Sequence, residues 1–242
     1  MDLASEIVER ANEHFLCSQK PLVTLTYAQS LDGSITAWRG IPLAISGAES
    51  YVLTHGLRGV HDCILVGIGT VLADNPRLTC RKENGRDPQP VVLDSQLRFP
   101  LDAAMLDNTL KPWIFTTDHI DQEKRKLLED MGARVIPLEA DAHGRVSLEA
   151  LLDCLGSMGV KSVMVEGGAR IITNFLSHRL ADQLVLTVAP IFVGGLQAFE
   201  SRQLLEQTDP PDPNKFLRLA DMKFAQYGDD LVLWGQLAPE CV

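Results

Sequence analysis

One stretch, Leu65 to Arg81, combines an apolar run with residue types that suit a charged small molecule. It reads LVGIGTVLADNPRLTCR. Its glycines allow a ligand to approach the backbone closely, and a hydroxyl, a carboxylate, an amide and two guanidinium groups follow within a few residues. Arginine forms paired, charge-assisted hydrogen bonds to phosphate oxygens. The alternative is that Asp74-Asn75-Pro76 forms a plain turn and that the arginines are solvated.

A second stretch, residues 163–176, reads VMVEGGARIITNFL. A buried strand is predicted to end at Glu166, and a helix is predicted to start near Ala169. The start of a helix offers unpaired N–H groups and a partial positive charge, which favour a phosphate or pyrophosphate. The spacing is not the G-x-G-x-x-G fingerprint, which needs a third glycine. The alternative is that Gly167-Gly168 only make a tight turn.

A third stretch, TYAQSLDGSIT at residues 26–36, carries polar groups at the end of a predicted strand. Gln29 and Ser30 supply hydrogen-bonding side chains, and residues 31–33 (LDG) predict a turn. Asp-Gly turns are common in surface hairpins, so this stretch alone does not separate a site from an ordinary turn.

The elements that would position these stretches alternate between strand and helix. Helices are predicted at 121–132, which ends on Gly132, and at 147–155, which opens on Ser147 as its cap. Short β-branched runs predict strands at 22–28, 62–67, 90–94, 113–117, 133–138, 161–166 and 183–190. This order predicts an α/β fold with a mostly parallel central sheet flanked by helices.

The C-terminal part predicts an antiparallel hairpin. Residues 216–237 contain two runs joined at 227–230 (YGDD), and the proline-rich segment 206–215 is predicted to be a surface loop. Too little chain follows that loop for a second core. We therefore expect a single domain over residues 1–242, with an N-terminal helix at 1–19 and a core at 20–236.

Composition excludes several classes of function. The net charge of −10 and pI near 5.0 argue against a nucleic-acid surface, and no apolar run reaches the roughly 20 residues of a membrane span. The acidic N-terminal helix differs from a signal or transit peptide, so the expected location is cytoplasmic. The five cysteines and six histidines form neither C-x-x-C nor H-E-x-x-H, so neither a disulfide framework nor a metal site is expected.

Together, TYAQSLDG, ILVGIGTVLADNPRLTCR, VVLDS and VMVEGGARI, followed by LVLTVAPIFVGG, resemble the reductase domain of riboflavin biosynthesis. That family comprises the C-terminal domain of bifunctional deaminase-reductases and stand-alone 2,5-diamino-6-ribosylamino-4(3H)-pyrimidinone 5′-phosphate reductases. The resemblance covers residues 20–236 in the family's order. It implies a dihydrofolate-reductase-like fold and NADPH-dependent reduction of the ribosyl group of a phosphoribosylaminopyrimidine to ribityl.

The resemblance also implies the contact residues, so that the stretch from Leu65 to Arg81 serves both cofactor and substrate. The implied contacts to NADPH are Ala28, Thr70, Asp74, Ser95, Gly168, Ala169, Arg170, Ile171, Ile172, Thr173 and Asn174. The implied contacts to the substrate are Arg58, Leu78, Arg81 and Glu166. The arginines suit a 5′-phosphate, and the carboxylate suits the N–H groups of an aminopyrimidine edge.

The implied reaction opens the ribosylamine to an imine, to which the nicotinamide delivers a hydride at C1′. No catalytic residue is assigned. Asp32 is the nearest titratable candidate for a general acid within the TYAQSLDG motif, and the alternative is that it has a structural role in the turn. Thr26 and the TYAQS motif resemble the fungal and archaeal form, which favours the diamino substrate over the deaminated one. A separate protein is expected to supply the deaminase step.

Two other functions stay open: a related oxidoreductase acting on another pterin or pyrimidine, and a non-catalytic NADPH-binding protein. A substrate without phosphate would leave Arg58 and Arg81 without an anionic partner. The family pairs as homodimers through the sheet edge near the C-terminus, so a homodimer is expected. The apolar run LVLWGQL at 231–237 suits that edge or an ordinary inner strand.

Overall fold

Helices and strands alternate along the chain in the computed structural model, which describes residues 3–81, 85–199 and 216–238. The α-helices are α1 (Leu3–Ser18), α2 (Ala48–Arg58), α3 (Ile68–Asp74), α4 (Gln122–Asp130), α5 (Leu148–Ser157) and α6 (Ala169–Ser177), and a 3₁₀ helix spans Ala104–Asp107. The strands are β1 (Leu22–Ser30), β2 (Ser34–Thr36), β3 (Cys63–Gly67), β4 (Gln89–Leu93), β5 (Trp113–Thr116), β6 (Arg134–Pro137), β7 (Ser162–Val165), β8 (Gln183–Ala189), β9 (Leu196–Gln197), β10 (Arg218–Tyr227) and β11 (Asp230–Ala238).

These elements form two compact units. Unit 1 comprises Met1–Leu22 and Thr54–Met164, and unit 2 comprises Val23–Leu53 and Val165–Val242. The expectation of a single domain stays a prediction.

Unit 1 is built on parallel strands. Strands β3, β4, β5 and β6 pair in that order and all run parallel, and β7 lies beside β3. The side chains of Ile64, Val92, Ile114 and Val135 belong to one buried apolar cluster, which explains why these strands read as apolar runs in the sequence. Because parallel strands end at the same edge of a sheet, the residues that follow β3, β4 and β5 are collected at that edge.

Unit 2 combines parallel and antiparallel pairing. Strand β1 runs parallel to β8, β8 runs antiparallel to β11, and β11 forms the C-terminal hairpin with β10. A second, two-stranded sheet pairs β2 with β9. Residues 231–237 therefore form an inner strand, and β10 is the edge strand of this group.

The predicted fold class is confirmed: helices alternate with mostly parallel strands, and the sheet ends in an antiparallel hairpin. Each predicted strand is present within two residues of its expected ends, although β7 ends at Val165 and leaves Glu166 just beyond it. The predicted loop at 206–215 lies outside the described residues. Across the described ranges, none of the helices has the length and apolarity needed to cross a membrane.

Candidate functional site

The residues that the sequence singled out fall in both units. Unit 1 holds Arg58, Thr70, Asp74, Leu78, Arg81 and Ser95, and unit 2 holds Ala28, Glu166 and the seven residues from Gly168 to Asn174.

In unit 1, the stretch after β3 forms the short helix α3. Thr70 lies half-buried on this helix, and its hydroxyl has no hydrogen-bond partner in the described part of the chain. Asp74 is the last residue of α3, and partial withdrawal of its carboxyl group from water raises its pKa. Both side chains therefore keep hydrogen-bonding capacity for a ligand.

Two other polar residues of this stretch are used by the fold. Asn75 ends α3 in the left-handed conformation, with φ 43°, and its side-chain oxygen accepts the N–H of Ala104 at 2.8 Å. Arg77 donates to the carbonyl of Ala104 at 3.3 Å and forms an ion pair with Asp107, also at 3.3 Å. Two of the five polar groups named for this stretch therefore anchor the 3₁₀ helix.

Leu78 has a buried side chain, 3% exposed, in the apolar cluster of unit 1. Its backbone is left-handed, with φ 57°, where a residue other than glycine is uncommon. A contact between Leu78 and the substrate would therefore use its main-chain atoms, and that contact stays a prediction.

Arg58 and Arg81 meet in one network. The Arg58 guanidinium donates from Nη1 to the carbonyl of Thr79 at 3.1 Å. The main-chain N–H of Arg81 donates to Nδ1 of His55, one turn before Arg58 on α2, at 3.1 Å. The structure thus gathers two predicted substrate residues at one place, with the Arg81 side chain exposed. Sequence reasoning missed His55, because nothing local marks its bond to a residue 26 positions away.

Ser95 follows β4 by two residues, and several contacts hold it in place. Its carbonyl accepts hydrogen bonds from the main-chain N–H and the hydroxyl of Thr117, at 3.4 and 2.8 Å. Its own Oγ accepts the N–H of Val146 at 3.0 Å. The hydroxyl proton of Ser95 is not used by any of these bonds, so a firmly held donor stands at the carboxyl end of β4.

The neighbour of Ser95, Asp94, shapes this turn. It is 1% exposed, and its Oδ2 accepts the N–H of Phe99 at 2.7 Å while its main-chain oxygen accepts the N–H of Leu97 at 3.0 Å. Burial raises the pKa of Asp94 against the opposing effect of the main-chain hydrogen bonds from Arg98 and Phe99. No local sequence pattern indicates this structural role.

In unit 2, Ala28 lies half-buried on β1, paired with Thr187. Glu166 lies half-buried directly after β7, and Gly167 and Gly168 lead from it into α6. Gly168 stands at the N-cap position of α6 with an extended backbone. No side chain caps the start of this helix.

The start of α6 offers main-chain donors. The N–H groups of Ile171 and Ile172 donate to the carbonyl of Gly168, at 2.9 and 3.1 Å, whereas those of Ala169 and Arg170 have no acceptor within the described ranges. Ala169, Ile172 and Thr173 are buried. Contacts of this segment with a ligand would therefore come mainly from the main chain at its start, as free helix N–H groups favour an anion.

Asp32 is held by the turn between β1 and β2. Its two carboxylate oxygens accept hydrogen bonds from the hydroxyls of Ser30 and Ser34, at 2.6 and 2.7 Å, and from the N–H groups of Val193 and Gly194, at 2.9 and 2.8 Å. These bonds, that of Ser30 first, hold the pKa of Asp32 well below its usual range. A carboxylate in this state does not store a proton near neutral pH, so the structural alternative accounts for Asp32.

Comparisons with known proteins identify the family of this chain. The family model described as RibD C-terminal domain matches residues 21–233. A 2,5-diamino-6-ribosylamino-4(3H)-pyrimidinone 5′-phosphate reductase of Debaryomyces hansenii is 40% identical over 193 residues, covering 74% of this chain and 78% of that protein.

Two solved structures are similar in fold. Acinetobacter baumannii RibD superposes with a TM-score of 0.80 at 24% identity, over 96% of this chain and 62% of that longer one. The Saccharomyces cerevisiae riboflavin biosynthesis reductase Rib7 superposes with a TM-score of 0.69 at 30% identity, over 91% of each chain. On the extent of the family match and the identity to the fungal reductase, the chain belongs to the RibD C-terminal domain family.

Proposed function

We propose that this chain is an NADPH-dependent oxidoreductase of riboflavin biosynthesis that reduces the ribosyl group of a phosphoribosylaminopyrimidine to ribityl. The proposal depends on the 40% identity to the Debaryomyces hansenii 2,5-diamino-6-ribosylamino-4(3H)-pyrimidinone 5′-phosphate reductase, of which 78% is covered. The substrate that we assign is the diamino compound, 2,5-diamino-6-ribosylamino-4(3H)-pyrimidinone 5′-phosphate, which the name of that fungal reductase specifies.

The donor groups of unit 1 suit a dinucleotide phosphate. The Ser95 hydroxyl keeps its proton available while its oxygen and carbonyl are held by Val146 and Thr117. The hydroxyl of Thr70 is also without a partner in the part of the chain that is described. The Ser95 donor is already held in position, so it binds an anion at a reduced entropic cost of ordering. We therefore assign the hydroxyls of Ser95 and Thr70 to the cofactor as donors, and the Asp74 carboxylate to the cofactor as a hydrogen-bond acceptor.

The donor groups of unit 2 suit the same kind of ligand. The N–H groups of Ala169 and Arg170 lack acceptors among the described residues, and the helix dipole adds positive charge at this end. A Cβ at Gly168 would meet no protein atom within 4 Å, and its backbone is one that any residue adopts. The fold itself therefore does not require a glycine at position 168. We propose that this residue is glycine because a ligand approaches the backbone closely there.

For the substrate, we assign Arg58 and Arg81 to the 5′-phosphate and Glu166 to the aminopyrimidine. The guanidinium of Arg81 is exposed on a backbone that His55 holds. Arg58 donates from Nη1 to the carbonyl of Thr79, and a guanidinium forms charge-assisted hydrogen bonds to phosphate oxygens. Glu166 follows the end of β7, where ligands of parallel sheets bind.

When bound, NADPH supplies the hydride for the reduction. The residues of this chain bind and orient: Ser95 and the start of α6 hold phosphate groups, Arg81 holds the sugar phosphate, and Glu166 fixes the pyrimidine. Positioning of two reactants accounts for much of the rate of such a reaction. Asp32 takes no part in proton transfer in this scheme, because its carboxylate is fully engaged in the turn.

The test is a steady-state assay of NADPH absorbance with the diamino and the deaminated substrates side by side. We expect oxidation of NADPH that depends on the diamino substrate, with a higher kcat/KM than for the deaminated compound. NADH in place of NADPH is the cofactor control. NADPH binding without oxidation by either substrate would contradict the proposal and favour a binding protein.

We further propose a homodimer that forms through β10. This edge strand carries two exposed apolar side chains, Met222 and Phe224, which are 56% and 67% exposed. An edge strand with exposed apolar side chains is a template for pairing with a second chain.

A further inference from the structure

His55 is a buried histidine close to two predicted substrate residues. It is 3% exposed and lies on α2, one turn before Arg58. A buried polar side chain keeps its place only when its polar atoms are hydrogen-bonded, so the partners of His55 define what it holds.

Two groups of His55 bind the segment that carries Arg81. Its ring atom Nδ1 accepts the main-chain N–H of Arg81 at 3.1 Å, and its carbonyl oxygen accepts the Sγ–H of Cys80 at 3.2 Å. An N–H donor facing Nδ1 requires that nitrogen to be unprotonated, so the ring proton of the neutral histidine resides on Nε2.

The same segment is held on its other side. The carbonyl of Thr79 accepts a hydrogen bond from Arg58, and the N–H of Cys80 donates to Oδ1 of Asp87 at 2.8 Å. Three successive residues thus have their main chains fixed by side chains of other segments. Arg81, the last of these three residues, is itself exposed.

We infer that His55 is a positioning residue for substrate binding: its imidazole holds the Arg81 backbone, and so sets where the Arg81 guanidinium meets the anionic group of the substrate. This inference rests on the proposed function, in which Arg81 binds the sugar phosphate. It adds a residue that acts through Arg81 and does not itself touch substrate.

The expected size of the effect follows from one neutral hydrogen bond. Loss of such a bond should raise the KM for the phosphorylated substrate by about three- to tenfold. The kcat value should stay within about twofold, because binding and not the chemical step is affected.

Two substitutions of similar size distinguish the effect of the hydrogen bond at Nδ1 from the effect of side-chain volume. Asparagine places an acceptor oxygen where Nδ1 lies, whereas glutamine places its polar atoms near the position of Nε2. Ribose 5-phosphate serves as an inhibitor that probes the sugar-phosphate site. We expect His55→Gln to raise both the KM for the substrate and the inhibition constant of ribose 5-phosphate. His55→Asn should keep both constants within about twofold of the wild type. Equal KM values for the two variants would overturn the inference, whether or not stability falls.

The double variant tests whether His55 acts through Arg81. With Arg81→Ala already in place, His55→Gln should raise the KM no further, because the side chain that it positions is gone. An undiminished further rise would overturn the inference and leave the proposed function intact. If Arg81→Ala alone changes neither KM nor ribose 5-phosphate inhibition, the proposed role of Arg81 fails first, and the inference fails with it. Arg77→Ala, whose guanidinium pairs with Asp107, is the matched arginine control and should leave both constants unchanged.

Discussion

Gly167 packs so closely against Ile171 that a Cβ at this glycine would overlap Cβ and Cγ2 of the isoleucine and lie 3.1 Å from its Cγ1. The next residue, Gly168, is different, because a Cβ there would meet nothing within 4 Å. The two adjacent glycines of this motif therefore have different physical roles. Gly167 allows close packing inside unit 2, and Gly168 leaves open space at the start of α6.

The first prediction concerns stability. Gly167→Ala should destabilise the protein by about 1–3 kcal/mol, because the added methyl group forces Ile171 to move in a packed environment. For a chain of this size the melting temperature should fall by roughly 2–4 °C per kcal/mol. Differential scanning calorimetry of the variant and the wild type measures this. An unchanged melting temperature would show that Ile171 repacks at no cost.

The second prediction concerns the cofactor and uses the neighbouring position. Gly168→Ala should leave the free energy of unfolding within about 0.5 kcal/mol. It should weaken NADPH binding by about 10- to 100-fold, the effect of disturbing charge-assisted hydrogen bonds to a phosphate. Titration calorimetry with NADPH gives the dissociation constant. Wild-type affinity for NADPH would contradict the assignment of the cofactor to α6.

The third prediction concerns Glu166, which we assign to the pyrimidine. Glu166→Ala should lower kcat/KM for the diamino substrate by about 10- to 100-fold, because a carboxylate that accepts two N–H bonds is lost. The NADPH dissociation constant should change by no more than about twofold, since we assign this side chain to the substrate and not to the cofactor. A loss of NADPH affinity equal to the loss of kcat/KM would place Glu166 in the cofactor site instead.

The fourth prediction concerns pH and Asp32. The lowered pKa of Asp32 in the folded protein means that its hydrogen bonds contribute stability above the unfolded pKa, near pH 4, and lose that contribution as the pH falls. Asp32→Asn should therefore lower the urea midpoint at pH 7, and its difference from the wild type should narrow below about pH 4.

The pH dependence of kcat provides a control for the same residue. Because the carboxylate of Asp32 is occupied by Ser30, Ser34 and two main-chain N–H groups, the substitution should not remove an ionisation from the kcat profile near neutral pH. Loss of such an ionisation in the Asn variant would restore Asp32 as a proton donor.

The fifth prediction concerns the homodimer. Phe224→Glu should convert the proposed dimer to a monomer, because a carboxylate replaces an apolar side chain, 67% exposed, on the edge strand β10. Sedimentation velocity measures the mass in solution. Leu127→Glu, at a position 50% exposed on α4, is the matched control and should keep the wild-type mass. A wild type that sediments as a monomer would contradict the proposal.

Much of the architecture could be predicted from local patterns. The β-branched runs around Val91 and Ile114 indicate buried strands, and Ser147 marks the start of α5, where its hydroxyl accepts the N–H of Ala150. Helix α3 was not predicted, because glycines at 67 and 69 are typical of a loop, and the helix is only seven residues long. Its end depends on the left-handed backbone of Asn75, which local periodicity does not record.

By itself, the sequence determined the strand order along the chain, the α/β class, the C-terminal hairpin and the motifs that place the chain in its family. These depend on the preferences of neighbouring residues and on spacing. Tertiary structure alone decided that Arg77 is tied to the 3₁₀ helix while Arg81 is exposed, that Leu78 is buried, and that His55 holds Arg81. The physical reason is that a hydrogen-bond partner far along the chain, such as Val193 for Asp32, is chosen by packing, and no local pattern specifies it.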